Sequence, residues 1–384
     1  MITASELREK FRAKFGSEAR VYRAPGRVNL IGEYTDFNDG FVMPAAIGRT
    51  CWIAAAARTD RKLVVHSEEF SETFEWDFAD GEPARTGGWS DYPVGVAVVF
   101  ARNGVKLRGA NLFIHGDVPI GAGLSSSAAI EVATGYALLD INGTPTDGLE
   151  LARVAQRAEN EFVGARCGIM DQFASVFGRA GKAIVLDCRS LGYELAPIPS
   201  SVHLMICNTM VKHANSSGEY NVRRAQCEEA VARLSAFYTG ISALRDVTPE
   251  QLEKHRDALP DVVYRRAAHV VAENERVLAA VRALGADDLA AFGQRMAESH
   301  ESLRTLFEVS SPELDLMVEL ANRQEGVLGA RMTGGGFGGS TINVVEAGRE
   351  DRFRENMARE YEQVTGRQPD IQICDPAEGA RRVE

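Results

Sequence analysis

Two periods organise the apolar residues of this chain. Short runs rich in β-branched and aromatic side chains, bounded by glycine, proline or polar residues, predict strands at Arg20–Tyr22, Val28–Ile31, Thr50–Ala57, Leu63–His66 and Asn111–His115. Helical spacing takes over at Ser126. The run from there to Leu139 has serines at its start, Glu131 in its early turns and Asn142-Gly143 behind it, the marks of a helix with a serine cap and a glycine stop. Leu151–Val163 repeats the spacing through Leu151, Val154, Ala155, Ala158 and Phe162. Buried strands return at Gly181–Leu186 and Val202–Cys207. Tyr220–Phe237 and Val270–Leu284 then carry one apolar stripe each, as amphipathic helices do, and Thr341–Val345 and Ile371–Cys374 are strands around a charged helix. Strands in both halves with helices between them predict an α+β chain of two lobes, residues 1–180 and 181–384, the change falling near residue 180.

Composition narrows the function. A chain of 384 residues that is 45% hydrophobic and 25% charged folds into a sizeable core and is not disordered. Its 43 Lys and Arg against 54 Asp and Glu leave a net charge of −11, which opposes polyanions, so no nucleic acid is expected as a partner beyond a local pocket for one small anion. Val94–Phe100 and Cys51–Ala57 fall short of the roughly 20 apolar residues that span a bilayer, so no membrane partner is expected. Met1–Lys14 lacks the apolar centre of a secretory signal. Cysteines at 51, 167, 188, 207, 227 and 374 form no C-x-x-C pair and suit reduced thiols in a cytoplasmic protein. The histidines at 66, 115, 203, 213, 255, 269 and 300 show no metal-binding spacing and read as ordinary core or surface residues.

Three segments carry candidate chemistry. Gly121-Ala122-Gly123-Leu124-Ser125-Ser126-Ser127 runs straight into a helix, so its amides and the helix N-terminus can converge on an anion while the serine hydroxyls bond phosphate oxygens or a metal. No Gly-Lys-Ser/Thr follows, so it is not a Walker A loop, and a plain glycine turn with a serine cap is the competing reading. Thr333-Gly334-Gly335-Gly336-Phe337-Gly338-Gly339 formally contains G-x-G-x-x-G, yet a strand follows it where the dinucleotide fingerprint opens a helix. Five glycines in six positions there indicate a backbone that something approaches closely. Ala24–Asp36 places Arg27, Glu33, Thr35 and Asp36 on a glycine-punctuated loop, a set of donors and acceptors suited to a sugar, or else a solvated acidic turn.

In combination, the three segments resemble the three signature motifs of the GHMP small-molecule kinases, and the first is similar to that of galactokinases. Cys167–Phe173, Asp187–Gly192, Ser217–Arg224 and Arg331–Gly339 extend the resemblance, in order, over nearly the whole chain. It implies a two-lobed GHMP kinase fold with the active site in the interdomain cleft. It implies that Glu33, Tyr34, Thr35, Asp36 and Gly168 line a sugar site which Tyr220 also contacts. Gly121, Ala122, Gly123, Leu124, Ser125, Ser126 and Ser127 would cradle ATP, with Ser127 and Glu159 near Mg2+. Asp171 falls where the family has its catalytic carboxylate and Arg27 where it has a cation near the transferred phosphoryl, while Gly334–Gly339 would support the phosphate loop. A carboxylate to take a hydroxyl proton and a cation that keeps it ionised suit phosphoryl transfer to a sugar. The implied reaction converts ATP and D-galactose to ADP and α-D-galactose 1-phosphate, so the expected partners are galactose and ATP, in a monomer or weak homo-oligomer.

One position departs from the family. Galactokinases usually carry Glu-His-Thr-Asp, and here Tyr34 stands second. A larger ring would crowd the sugar and favour a pentose, or would point away and leave its backbone to the ligand. The alternatives are therefore a related 1-kinase for arabinose, N-acetylgalactosamine or galacturonate, the last disfavoured by Glu33 and Asp36. A non-catalytic sensor of sugar and ATP is opposed by the intact serine loop. Trp89 and Tyr92 read as core aromatics ahead of adenine-stacking ones, and Cys167 as an inert thiol beside the sugar site.

Overall fold

The computed structural model describes residues 2–212 and 216–384, so His213 lies outside the described residues. Its strands form three sheets. The largest is six-stranded, in the order Arg381–Val383, Arg20–Asn29, Pro44–Ala57, Ala110–Gly116, Lys62–Ser67 and Glu72–Asp77. All its pairs are antiparallel except Lys62–Ser67 with Ala110–Gly116. A four-stranded antiparallel sheet takes Val327–Thr333, Gly338–Glu346, Val202–Lys212 and Asp370–Ile373, and a small one takes Phe41–Val42, Lys182–Asp187 and Tyr193–Pro197.

These pairings cross residue 180 twice. Phe41–Val42 pairs with Lys182–Asp187, and Arg381–Val383 closes the edge of Arg20–Asn29. Sheet hydrogen bonds therefore run across the boundary expected near residue 180. An edge strand with open hydrogen bonds takes whatever backbone the topology delivers, here the end of the chain.

Local chemistry explains most elements. The helix Ser126–Ile141 buries Ala128, Ala129, Val132, Ala133, Ala137 and Leu138 and packs on the strands Arg20–Asn29 and Pro44–Ala57. It is apolar nearly all round, as a helix enclosed by a sheet and other helices must be. The two short strands expected at Arg20–Tyr22 and Val28–Ile31 are one strand, Arg20–Asn29, with an irregularity between Pro25 and Arg27. A proline without an amide donor is tolerated at such a bulge, and the bulge re-aims the residue behind it, Arg27. The helix expected over Leu151–Val163 is α-helical only through Gly148–Arg157 and continues as a π turn, Ala158–Val163. Gly164, at φ 91, ends it by bonding its amide to the Glu159 carbonyl five residues back. No helix of the described residues is long and apolar enough to cross a membrane.

Fully buried charges join the two larger sheets. Arg331, on Val327–Thr333, has no solvent exposure and sits with its guanidinium 2.6 Å from the equally buried Glu33 carboxylate, an ionic contact more than an aligned hydrogen bond. It also donates to the Asn29 carbonyl at 3.1 Å, and the Thr333 hydroxyl accepts from the Asn29 amide at 2.9 Å. Removing one member of such a pair strands the other charge in the core. Arg331→Met should therefore lower stability by about 3–5 kcal/mol in urea unfolding, and Arg331→Met combined with Glu33→Leu should recover part of that loss.

Candidate active site

Two joined cavities lie where the glycine-rich segments meet. The smaller, 390 Å³, is lined by Arg27, Asp36, Ser127, Glu159, Asp171 and Tyr220 among others. The larger, 650 Å³, is walled by Phe70, Trp89, Ile130 and Asn221. Tyr92, Ile120, Ser126, Ser127 and Ala165 line both, so the start of the serine helix stands at their junction.

The serine loop reaches that junction by taking left-handed conformations that glycine permits, at Gly121 (φ 73) and Gly123 (φ 77). Ser125 occupies the N-cap at φ 58, yet its hydroxyl makes no capping bond and donates instead to the Asp171 carboxylate. The expected serine cap is thus displaced by a tertiary partner. Among the described residues no side chain bonds the first-turn amides of this helix, which form the partial positive end of its dipole. The third glycine segment braces the loop from behind: a Cβ on Gly334 would lie 2.6 Å from the Gly123 carbonyl, and the Ser340 hydroxyl donates to the Ala122 carbonyl at 2.8 Å.

Arg27 and Asp171, 144 residues apart in sequence, form a two-pronged pair: Nε to Oδ1 at 2.8 Å and a terminal nitrogen to Oδ2 at 2.7 Å. Such fork geometry is the strong form of a charged hydrogen bond. The other terminal nitrogen of Arg27 donates to the Gly123 carbonyl at 2.6 Å, which fixes the guanidinium against the loop. Asp171 stands in the first turn of Met170–Phe177, where a helix favours a negative charge. With three bonds accepted, it keeps one of its roughly four acceptor positions for a ligand.

Glu159 comes from the π turn. Burial first, then the charge of Asp171, pushes its carboxyl up to about 7. It accepts hydrogen bonds from the Gln172 amide at 2.7 Å and the Cys167 thiol at 3.5 Å, and Ser127 lines the same cavity. Hydroxyl and carboxylate oxygens are the hard donors that Mg2+ takes, and paired buried acids lacking a cation between them are what it neutralises, so the donor set fits that ion. Burial pushes the Cys167 thiol well above its usual range, in keeping with an inert thiol.

The remaining expected sugar residues divide. Asp36 lines the smaller cavity at 9% exposure, its carboxyl pushed up to about 6 by burial and then by Asp171. Tyr220 lines it as well. Glu33 reaches the cavity with both oxygens engaged, one by the Gly334 amide at 2.8 Å, the other by the Asn29 side-chain amide at 2.6 Å and by Arg331. Thr35 is corrected: it is fully buried outside the cavity, its hydroxyl donating to the Gly32 and Phe41 carbonyls, so it shapes the turn. Gly168 stands outside the lining of the smaller cavity and against Asp36, since a Cβ there would run into the Asp36 carboxylate.

Tyr34, at 3% exposure and φ 67, packs its ring against Phe307 at 4.4 Å and Tyr220 at 5.2 Å, and its hydroxyl donates to the Gly335 carbonyl. Its phenol therefore holds the third glycine segment to the sugar loop. Trp89 and Tyr92 line the larger cavity, and Trp89 is also packed against the main core and lies parallel to Phe70 at 6.0 Å. Phe70 carried no motif that sequence reasoning could have found, whereas Asn221 stands in the Ser217–Arg224 segment without having been singled out.

Comparison with known proteins agrees with this geometry. The family models for the galactokinase galactose-binding signature, the GHMP kinases N terminal domain and the GHMP kinases C terminal match residues 9–57, 91–179 and 280–363. The galactokinase of Roseiflexus sp. (strain RS-1) is 45% identical over 100% of this chain and 98% of its own, and that of Pasteurella multocida (strain Pm70) 43% over 93% of each. The crystal structure of Lactococcus lactis galactokinase complexed with galactose superposes with a TM-score of 0.95 at 37% identity, covering 99% of both chains. A mevalonate kinase structure, 17% identical with a TM-score of 0.61 over 92% of this chain and 98% of its own, shares the fold. With identity of that level sustained end to end, the chain belongs to the galactokinase family of the GHMP kinases.

Proposed function

We propose that the protein transfers the γ-phosphoryl group of ATP to the C1 hydroxyl of D-galactose, giving ADP and α-D-galactose 1-phosphate. The observation that carries this reading is the two-pronged Arg27–Asp171 pair beside the uncapped start of the Ser126–Ile141 helix, at the junction of two cavities. The smaller cavity takes the sugar, with Asp36 and Tyr220 as hydroxyl partners. The larger takes the nucleoside between apolar walls that include Trp89 and Phe70. The triphosphate then lies along Gly121–Ser127, whose free amides bind its oxygens.

In the transfer, the bond from the C1 oxygen to the γ-phosphorus forms as the β,γ-bridging bond breaks, and the hydroxyl proton passes to Asp171. Arg27 orients that carboxylate through its two prongs and offsets charge on the equatorial oxygens. Ser127 and Glu159 would hold Mg2+, which neutralises the triphosphate when bound. The galactose-binding signature over residues 9–57 and the galactose-bound relative support galactose as the acceptor. Tyr34 lines the smaller cavity as well, with its phenol on Gly335 and its ring against Phe307 and Tyr220.

The assay is ADP release from MgATP with galactose, arabinose, N-acetylgalactosamine, galacturonate, glucose and no sugar, the product's phosphate position read by NMR. Release with galactose and phosphate on C1 is expected; activity on another sugar alone would move the substrate, and silence on all would point to a sensor. Asp171→Asn should fold and lose roughly 10²–10⁴ in kcat, and wild-type turnover would remove the base role. Asp36 yields a stability test. Its folded carboxyl, at about 6, lies above the unfolded value of about 3.9, so its contribution is present at pH below 3.9 and is lost as pH rises through 6. Asp36→Asn should therefore stabilise the ligand-free protein by about 2–3 kcal/mol in urea at pH 7.5, the gain fading toward pH 4, while galactose binding weakens.

A further inference from the structure

Beneath the site lies a buried acid for which the reaction has no use. Glu131 belongs to the Ser126–Ile141 helix, has no solvent exposure and faces Gln172, which is equally buried. The Gln172 side-chain nitrogen donates to Glu159 Oε2 at 2.7 Å and to Glu131 Oε2 at 3.0 Å. One amide thus places its two hydrogens on carboxylates from two different segments, the π turn and the phosphate-loop helix. Among the described residues the Gln172 oxygen has no partner, so what the glutamine supplies at this buried position is its donors. The Cys167 thiol also bonds Glu159 Oε2. Two neighbours therefore hold one oxygen of Glu159, and Oε1 is the oxygen left over.

We propose that Gln172 is a positioning residue for the divalent-cation site: anchored on Glu131, its amide fixes Oε2 of Glu159 and leaves Oε1 to pair with Ser127 around the ion. This rests on the reading of Ser127 and Glu159 as the pair that holds the cation. Carboxylate ligands are held in orientation by such outer hydrogen bonds, whose loss weakens metal binding about 10–100-fold. Gln172 also follows Asp171 directly in the first turn of Met170–Phe177. That turn then sets the proposed base and the metal-binding carboxylate together, since a shift of the helix moves both.

The test is Mn2+ binding to the full-length protein with a non-hydrolysable ATP analogue, free Mn2+ being read by electron paramagnetic resonance. Gln172→Met, close in volume but without the amide, should bind Mn2+ about 10–100-fold more weakly and need correspondingly more metal to reach its kcat. A purely structural role would lower thermal stability and leave the Mn2+ dissociation constant unchanged. Should Gln172→Met not fold, Gln172→Asn, which keeps the amide but withdraws it by one methylene, carries the same expectation. Glu159→Gln separates the two layers of the argument. If it weakens Mn2+ binding while the Gln172 variants match wild type, the positioning role is overturned and the cation site stands. If Glu159→Gln leaves Mn2+ binding unchanged, the cation site itself is wrong and the role of Gln172 falls with it.

Discussion

The Arg27 guanidinium is the contact on which the rest of the site depends. Its two prongs on Asp171 and its third bond to the Gly123 carbonyl join a sheet strand, the phosphate loop and the helix Met170–Phe177 at one point. Asp171 lies close enough to Asp36, Glu131 and Glu159 to add to the burial that raises their carboxyls. A buried cation within bonding distance of one of them allows the cluster to form at all. The bulge at Pro25–Arg27 and the missing side chain of Gly26, where a Cβ would strike the Leu124 carbonyl, bring the strand and the loop together for it.

Backbone packing sets the rest of the frame. Gly123 and Gly334 touch with no side chain between them, Ser340 bonds Ala122, and the Glu33–Arg331 pair locks the strand behind. Strain collects at the same place: Tyr34, Ser125 and Phe337 are non-glycine residues at φ 67, 58 and 55, conformations that persist only where the surroundings over-determine them. Tyr34 is held by its aromatic neighbours and Gly335, and Ser125 by Asp171.

The acids of this site are displaced from their ordinary ionisation. Asp36 and Glu159 are held above the usual carboxylate range by burial and by a neighbouring charge. Hydroxyls and a divalent cation relieve both effects, so ligand binding and the ionisation of these acids favour one another. The proposed chemistry uses that coupling: the acids that burial holds back from ionising are the ones that sugar hydroxyls and a cation would engage.

Local signals determined much of this in the sequence itself. The strands, the long helices and the three glycine-rich segments follow from side-chain period, glycine positions and residue types within a dozen positions, and Arg27, Asp36, Asp171, Tyr220 and the serine loop do meet at one site. Only tertiary structure could decide where hydroxyls and charges go once distant segments meet. Thr35 bonds its own turn, Ser125 leaves its cap for Asp171, and Tyr34 turns its phenol to a glycine 301 residues on. Neither the π turn that presents Glu159, nor the Phe70–Trp89 wall, nor the return of Arg381–Val383 to the first sheet has a local signature. A hydrogen-bonding group pairs with the partner that burial leaves it, and which partner that is depends on contacts hundreds of residues apart.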